Sequence, residues 1–204
     1  MLQGSGPIGV VLAGGRGRRI GGDKAGVLLG GRALAQWVVD ALGAVLDEVV
    51  VACRIDTQLP PLAGVAEAWI PARGPRGPVA GLAAALREAR GRSILACAIS
   101  LPLITPATVR ALAYADARGA AAVVPESEGR LEALVGRWEP AALPVLERLA
   151  PDATLLSAAH AVAGARLPLA GIATELTRID APEDLLLPDR DTLSRRWAAA
   201  SSRS

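Results

Sequence analysis

Phenylalanine and asparagine are absent from this chain, and histidine, methionine and tyrosine occur once each. With aromatic residues at 2% of 204 positions, Trp37, Trp69, Trp138 and Trp197 read as packing residues rather than as platforms for stacked bases. Neither sign of charge dominates. The 22 basic and 20 acidic residues leave a net charge of +2, too little to argue for a nucleic-acid surface. The lone histidine, His160, sits in an apolar, helix-like stretch and reads as structural, since one isolated imidazole rarely makes a catalytic constellation. Cys53 and Cys97 are the two cysteines. Both fall in apolar, strand-like runs, as reduced core residues do. No apolar run reaches the ~18 residues needed to span a bilayer, so the mean hydropathy of +0.36 reflects alanine and valine. Residues 1–7 carry neither the basic nor the apolar region of a signal peptide. A cytoplasmic globular protein with no membrane contact is expected.

What is present is 51% hydrophobic and 21% charged, enough apolar matter for a sizeable core. A single lysine, Lys24, stands among the 22 basic residues, so the remaining 21 are arginine. That usage resembles a GC-rich genome, which drains lysine, asparagine and phenylalanine from positions where they are not needed. A surviving lysine is therefore a candidate functional residue.

Short apolar runs alternate with helical patterns over the first ~120 residues, which predicts βαβ units and a mostly parallel sheet. Strands are expected over residues 7–13, 48–53, 67–71, 93–99, 120–125, 131–138, 166–169 and 175–179. Residues 126–130 are expected to form a hairpin-like connection. Helices are expected over 34–46, 79–89, 106–118, 140–149, 152–163 and 181–187. Thr105 is placed to cap one helix, with Pro106 in its first turn. The reading is a single α/β domain of Rossmann-like type over residues 7–188, its central sheet flanked by helices. Residues 189–204 are charged and then rich in alanine and serine, which predicts a frayed tail. Ligands of such sheets bind beyond the carboxyl ends of the strands. The loops after Ala13, Cys53, Pro71 and Ile99 share that edge.

The informative segment is Leu12-Ala13-Gly14-Gly15-Arg16-Gly17-Arg18-Arg19-Ile20-Gly21-Gly22-Asp23-Lys24. Glycines let successive backbone N–H groups turn inward around an anion, and Arg16, Arg18, Arg19 and Lys24 add charge against a polyphosphate. It is not a Walker A loop, because Asp23 separates the last glycine from Lys24 and Ala25 follows. Nor is it the dinucleotide fingerprint, because Ile20 falls where the third glycine belongs. A solvated basic loop is the plain alternative.

The segment resembles the opening L-A-G-G-x-S-x-R-M-G-x-D-K of the molybdenum cofactor guanylyltransferase (MobA) family, with Gly17 in place of serine and Ile20 in place of methionine. Gly77-Pro78-Val79-Ala80-Gly81-Leu82 is similar to the family's G-P-L-A-G-[LM]. Ile179-Asp180-Ala181-Pro182-Glu183-Asp184 is similar to its N-x-N-T-P-E-[DE]. The resemblance covers roughly residues 7–187. It implies a nucleotidyltransferase of the same fold that joins GMP from GTP to the molybdenum cofactor (molybdopterin) and releases pyrophosphate, with Mg2+ bridging phosphate oxygens. Transient contact with other molybdenum cofactor proteins is implied as well.

By position, the resemblance places Leu12, Ala13, Gly14 and Gly15 at the nucleotide. Arg19 and Lys24 fall at the phosphates as catalytic cations. Ser100 takes the place of the family's metal-binding aspartate on the central strand. Ala72 and Ala52 stand where a further aspartate and an asparagine would be. Magnesium favours carboxylate oxygen, and a serine hydroxyl brings no charge, so Asp180 is the candidate replacement ligand beside Ser100. Asp180 could equally cap the final helix. Arg73 and Arg76 could meet a pterin phosphate, and Glu132 could face the same cleft. Two other functions stay open: a catalytically weak or silent relative that binds nucleotide, cofactor or a partner, and a nucleotidyltransferase for another phosphorylated acceptor.

Overall fold

The computed structural model describes residues 6–14, 20, 24–69 and 77–186. Gly15, Arg19, Ala72, Arg73, Arg76 and the tail 189–204 lie outside the described residues. The elements run β1 (Ile8–Leu12), β2 (Leu28–Leu29), β3 (Arg32–Ala33), α1 (Leu34–Gly43), β4 (Val49–Ala52), β5 (Glu67–Trp69), α2 (Pro78–Glu88) and β6 (Ile94–Ala98). They continue with α3 (Pro106–Tyr114), β7 (Ala122–Ser127), β8 (Arg130–Leu131), β9 (Val135–Trp138), α4 (Leu143–Leu146), α5 (Leu155–Ala161) and β10 (Ala165–Pro168). Short 3-10 turns occupy Lys24–Gly26, Pro140–Ala142 and Pro182–Leu186.

One sheet has the order β10–β7–β9–β6–β1–β4–β5, with β8 paired to β7, and β2–β3 form a separate small hairpin. β1 lies between β4 and β6, parallel to both. β4–β5 and β7–β10 are also parallel. β9 runs antiparallel to both β6 and β7, and β8 antiparallel to β7. The sheet is therefore mixed, with its parallel half around β1. Every residue of β1 and β4 is buried, as expected where helices cover both faces of a parallel sheet.

Successive side chains of a strand point to opposite faces, and the two cores divide accordingly. On one face Val11, Val51, Leu95 and Cys97 pack against α1 and α3 through Val38, Leu42, Val109 and Leu112. On the other, Val10, Leu12, Val50 and Ala96 pack against α2, α4 and α5 through Leu82, Leu86, Leu146 and Leu155. Burying each large apolar side chain stabilises by roughly 1.5–3 kcal/mol. Gly9 lets α1 approach β1: an added Cβ would lie 3.2 Å from Leu46 Cδ1 and 3.3 Å from Leu42 Cβ.

The inner positions of β1 and β6 agree with the sequence reading. So do Thr105 and Pro106 at the start of α3, where the Thr105 side chain accepts from Thr108 N. Five expectations need correction. The helix expected over 181–187 is a 3-10 turn at Pro182–Leu186, and the one expected over 140–149 is a 3-10 turn at Pro140–Ala142 followed by the single-turn α4. The helix starting at Pro106 ends at Tyr114 rather than near 118. The buried Arg137 guanidinium donates to Leu112 O (3.3 Å) and Ala113 O (2.7 Å) and so satisfies the last carbonyls of α3. The expected strand 131–138 is two strands, because the chain turns at residues 132–134, where Val135 N donates to Glu132 O (3.5 Å); the positive φ of Glu128 and Gly129 (52° and 75°) instead makes the expected hairpin-like connection that turns β7 back into β8. Residues 175–179 are not a strand. There Glu175 is drawn away from any strand pairing to the amino end of α3, where one carboxylate oxygen accepts from Thr105 N, Thr105 Oγ1 and Thr108 Oγ1.

A third, smaller cluster sets the site. Ile20, Leu29, Leu34, Trp37, Leu103 and Ile179 pack together. They tie the segment after β1, the start of α1, the loop after β6 and the C-terminal segment into one corner at the carboxyl edge of the sheet.

Candidate active site

At the end of β1 the backbone is fixed by its neighbours. Ala13 N donates to Ala52 O (2.9 Å), and Leu12 O accepts from Ile99 N (3.3 Å). Leu12 and Ala13 are buried at 8% and 1% exposure, and their side chains belong to the cores on opposite faces. Either residue would meet a nucleotide through its main chain. Gly14 is exposed, and a Cβ there would meet Arg54 Cγ at an ordinary 3.8 Å. Across from Leu12, Gly81 in the first turns of α2 would place a Cβ 3.8 Å from the Leu12 side chain. Gly77 opens α2 with φ +149° and no side-chain cap, and a Cβ there would lie 3.3 Å from Pro151 O. Only glycine takes that backbone conformation readily. The second glycine motif therefore adjoins the first strand.

Lys24 is buried and lies in the Lys24–Gly26 turn. Its ammonium forms an ion pair with Asp180 Oδ1, 156 residues away in the chain. The other carboxylate oxygen, Oδ2, pairs with Arg178 Nη2 at 2.6 Å. The backbone on either side of Asp180 is held firmly. Ile179 N donates to Ser100 O (2.9 Å), which ties this segment to the loop after β6. Asp180 N and Ala181 N both donate to Asp184 Oδ2 at 2.8 Å. Asp184, rather than Asp180, therefore caps the final turn, and the Asp180 carboxylate is left to the two cations. Partial burial pushes the Asp180 carboxyl up, but the hydrogen bond and charge of Lys24, with the charge of Arg178, outweigh it and hold the group below its ordinary value.

The structure thus brings Lys24, Asp180 and the Ser100 main chain to the carboxyl edge beside the end of β1. Ser100 itself is buried. Glu132 lies at the turn between β8 and β9, with its N–H on Pro125 O (3.0 Å). His160 is exposed on α5. Trp37 Nε1 donates to Leu29 O (3.0 Å) and Trp138 is fully buried, so both tryptophans pack. Cys53 and Cys97 are buried free thiols, each with its pKa raised by burial.

Two residues of this corner were missed in the sequence. Arg178 had a usable signal: it stands two positions before Asp180, and in extended chain such residues share a face. Glu175 had none, since its threonine partners are 67 and 70 residues away.

Asp180 offers one carboxylate with both oxygens already on cations, and Ser100 offers a neutral hydroxyl. Among the described residues no three His, Cys, Asp or Glu side chains gather as a metal site would need. Mg2+ is usually held by one or two carboxylates together with phosphate oxygens. These side chains fit an anion between two cations better than they fit that ion.

Comparison with known proteins points one way. Residues 9–166 match the model of the MobA-like NTP transferase domain. A molybdenum cofactor guanylyltransferase of Cereibacter sphaeroides is 35% identical over 189 residues, covering 87% of this chain and 93% of the relative. The crystal structure of molybdopterin-guanine dinucleotide biosynthesis protein A from Archaeoglobus fulgidus superposes with a TM-score of 0.64 at 24% identity, covering 95% of this chain and 98% of the other. A 2-C-methyl-D-erythritol 4-phosphate cytidylyltransferase from Thermus thermophilus gives 0.65 at 24% identity, covering 93% and 99%. At that identity the two structures speak to the fold alone.

Proposed function

The chain belongs to the MobA-like NTP transferase family, and on that premise we propose that it transfers GMP from GTP to the terminal phosphate of the molybdenum cofactor. The acceptor phosphate oxygen attacks the α-phosphorus of GTP. The bond from that phosphorus to the oxygen bridging the β-phosphate breaks, and pyrophosphate leaves with the electron pair. Such transfers ask the protein mainly for positioning and for charge against the phosphates.

The observation that carries this reading is the placement of the chain's single lysine. Lys24 is buried, at the carboxyl edge, in the corner where β1, the loop after β6 and the C-terminal segment meet. A buried ammonium acts in surroundings where its field is less screened than in water. The backbone from Leu12 to Gly14 offers the surface for the nucleoside, and the pairing of α2 with Leu12 closes its side. Arg19 and Gly15, outside the described residues, are proposed to complete the phosphate contacts. Because the donor set fits magnesium poorly, no step is assigned to it. The likeness to a cytidylyltransferase fold makes the choice of base a point to test. Pyrophosphate release should be faster with GTP than with CTP when molybdenum cofactor is supplied, and should fall to background without the acceptor. Equal rates with CTP would overturn the guanylyl assignment.

A further inference from the structure

The Asp180 carboxylate has an arrangement that a metal ligand would not choose. One oxygen is taken by Lys24 and the other by Arg178. The two cations approach from separate parts of the chain and converge on a single anion. Their sum with Asp180 is one net positive charge, so the trio still attracts anions. The backbone that carries Asp180 is pinned by the Ser100–Ile179 bond and by Asp184, and only its side chain, 29% exposed, is free to swing toward water. Lysine and arginine bind phosphate oxygens as readily as carboxylate oxygens, arginine in a planar fork and lysine as a point charge.

We infer that Lys24 and Arg178 form a two-cation cradle for the triphosphate of the nucleotide, and that Asp180 is its resident anion, displaced when the nucleotide binds. The inference rests on the proposed reading of Lys24 as a phosphate residue and adds Arg178 to it. It changes the role of Asp180 from ligand to placeholder. An internal anion has two consequences. It keeps the buried Lys24 paired when nucleotide is absent, avoiding an uncompensated buried charge. It also lowers affinity for the incoming phosphates, because the ion pair must be broken first.

The test is calorimetric titration of the full chain in EDTA with inorganic triphosphate and, separately, with GTP, comparing wild type with Asp180→Asn and Arg178→Gln. Removing the competing anion should tighten triphosphate binding in Asp180→Asn about three- to tenfold, and Arg178→Gln should weaken it by about the same factor, as befits partly exposed ion pairs. Asp180→Ser, which also removes the charge, must show the same sign if Asp180→Asn folds poorly by thermal melt. Unchanged or weaker triphosphate binding on neutralising Asp180, or indifference to Arg178→Gln, overturns the inference. If wild type binds GTP and the variants merely match it, the inference fails while the proposed function stands. If triphosphate follows the expected order but GTP binds no more tightly than triphosphate, the cradle stands and the guanosine reading fails. If neither ligand binds any form, both fail.

Discussion

Truncating Glu175 tests whether the C-terminal segment is held to the body of the fold as described. One Glu175 oxygen accepts from Thr105 N at 3.1 Å, Thr105 Oγ1 at 2.9 Å and Thr108 Oγ1 at 2.7 Å. Thr105 and Thr108 are only 7% and 3% exposed, so water reaches their donors poorly once the carboxylate is gone. Hydrogen bonds to a charged group contribute roughly 1.5–3 kcal/mol each. An anion at a helix amino end adds roughly 0.3–1 kcal/mol. Glu175 is itself half-exposed and the three bonds share one oxygen, so the sum is discounted. Glu175→Ala is expected to cost about 2–4 kcal/mol, judged from the size of single charged hydrogen bonds. At about 2–4 °C per kcal/mol for a chain of this length, Tm should fall by about 4–16 °C. Glu175→Gln keeps an acceptor oxygen but loses the charge, and should recover roughly half of the loss. Thermal and urea unfolding read both variants. A Glu175→Ala protein melting within about 2 °C of wild type would show that the staple carries no weight.

Other outcomes follow from the same corner. Lys24→Ala should weaken GTP binding about tenfold to a hundredfold, the equivalent of one lost charge-assisted contact of roughly 1.5–3 kcal/mol; unchanged affinity in a folded variant would remove Lys24 from the phosphates. Ser100→Asp supplies a carboxylate at the position that the resemblance gives to a metal-binding aspartate, so Mg2+ binding to the nucleotide-free protein should be stronger than in wild type on titration; no change would mean that position 100 does not face a metal. Acid unfolding reports on Asp180. Its folded pKa is lowered, so the folded state binds fewer protons there than the unfolded chain. The stability this contributes is present above about pH 4, the ordinary carboxyl value, and is lost as pH falls through the folded value. Stability of Asp180→Asn should accordingly fall less steeply than that of wild type below about pH 4.

Much of the frame could be read from the residues. Continuous apolar runs of five and more mark β1 and β6 because both faces of these strands are covered, and the Thr105-Pro106 pair announces α3 by its own capping chemistry. Lys24 stood out by its rarity. What escaped depends on contacts between distant parts of the chain. Leu131 and Trp138 sit in one apolar-looking run, yet β8 pairs with β7 while β9 pairs with both β6 and β7, and a turn at residues 132–134 breaks the run between them. Arg137 ends α3 from a strand 24 and 25 residues away. The neighbours Ala181 and Pro182 make Asp180 read as a cap, and only the resemblance makes it read as a metal ligand. Its partner Lys24 lies 156 residues back, and no local pattern predicts that meeting.

The proposed reaction in this corner joins GMP to a phosphorylated pterin. The direct measurement follows GTP labelled at the α-phosphate in the presence of molybdenum cofactor, with wild type and Lys24→Ala side by side. Wild type is expected to move the α-label into a guanine dinucleotide form of the cofactor, with one pyrophosphate per label transferred, and Lys24→Ala to do so far more slowly. Label that remains in GTP, or that appears as free GMP with none on the cofactor, would contradict it.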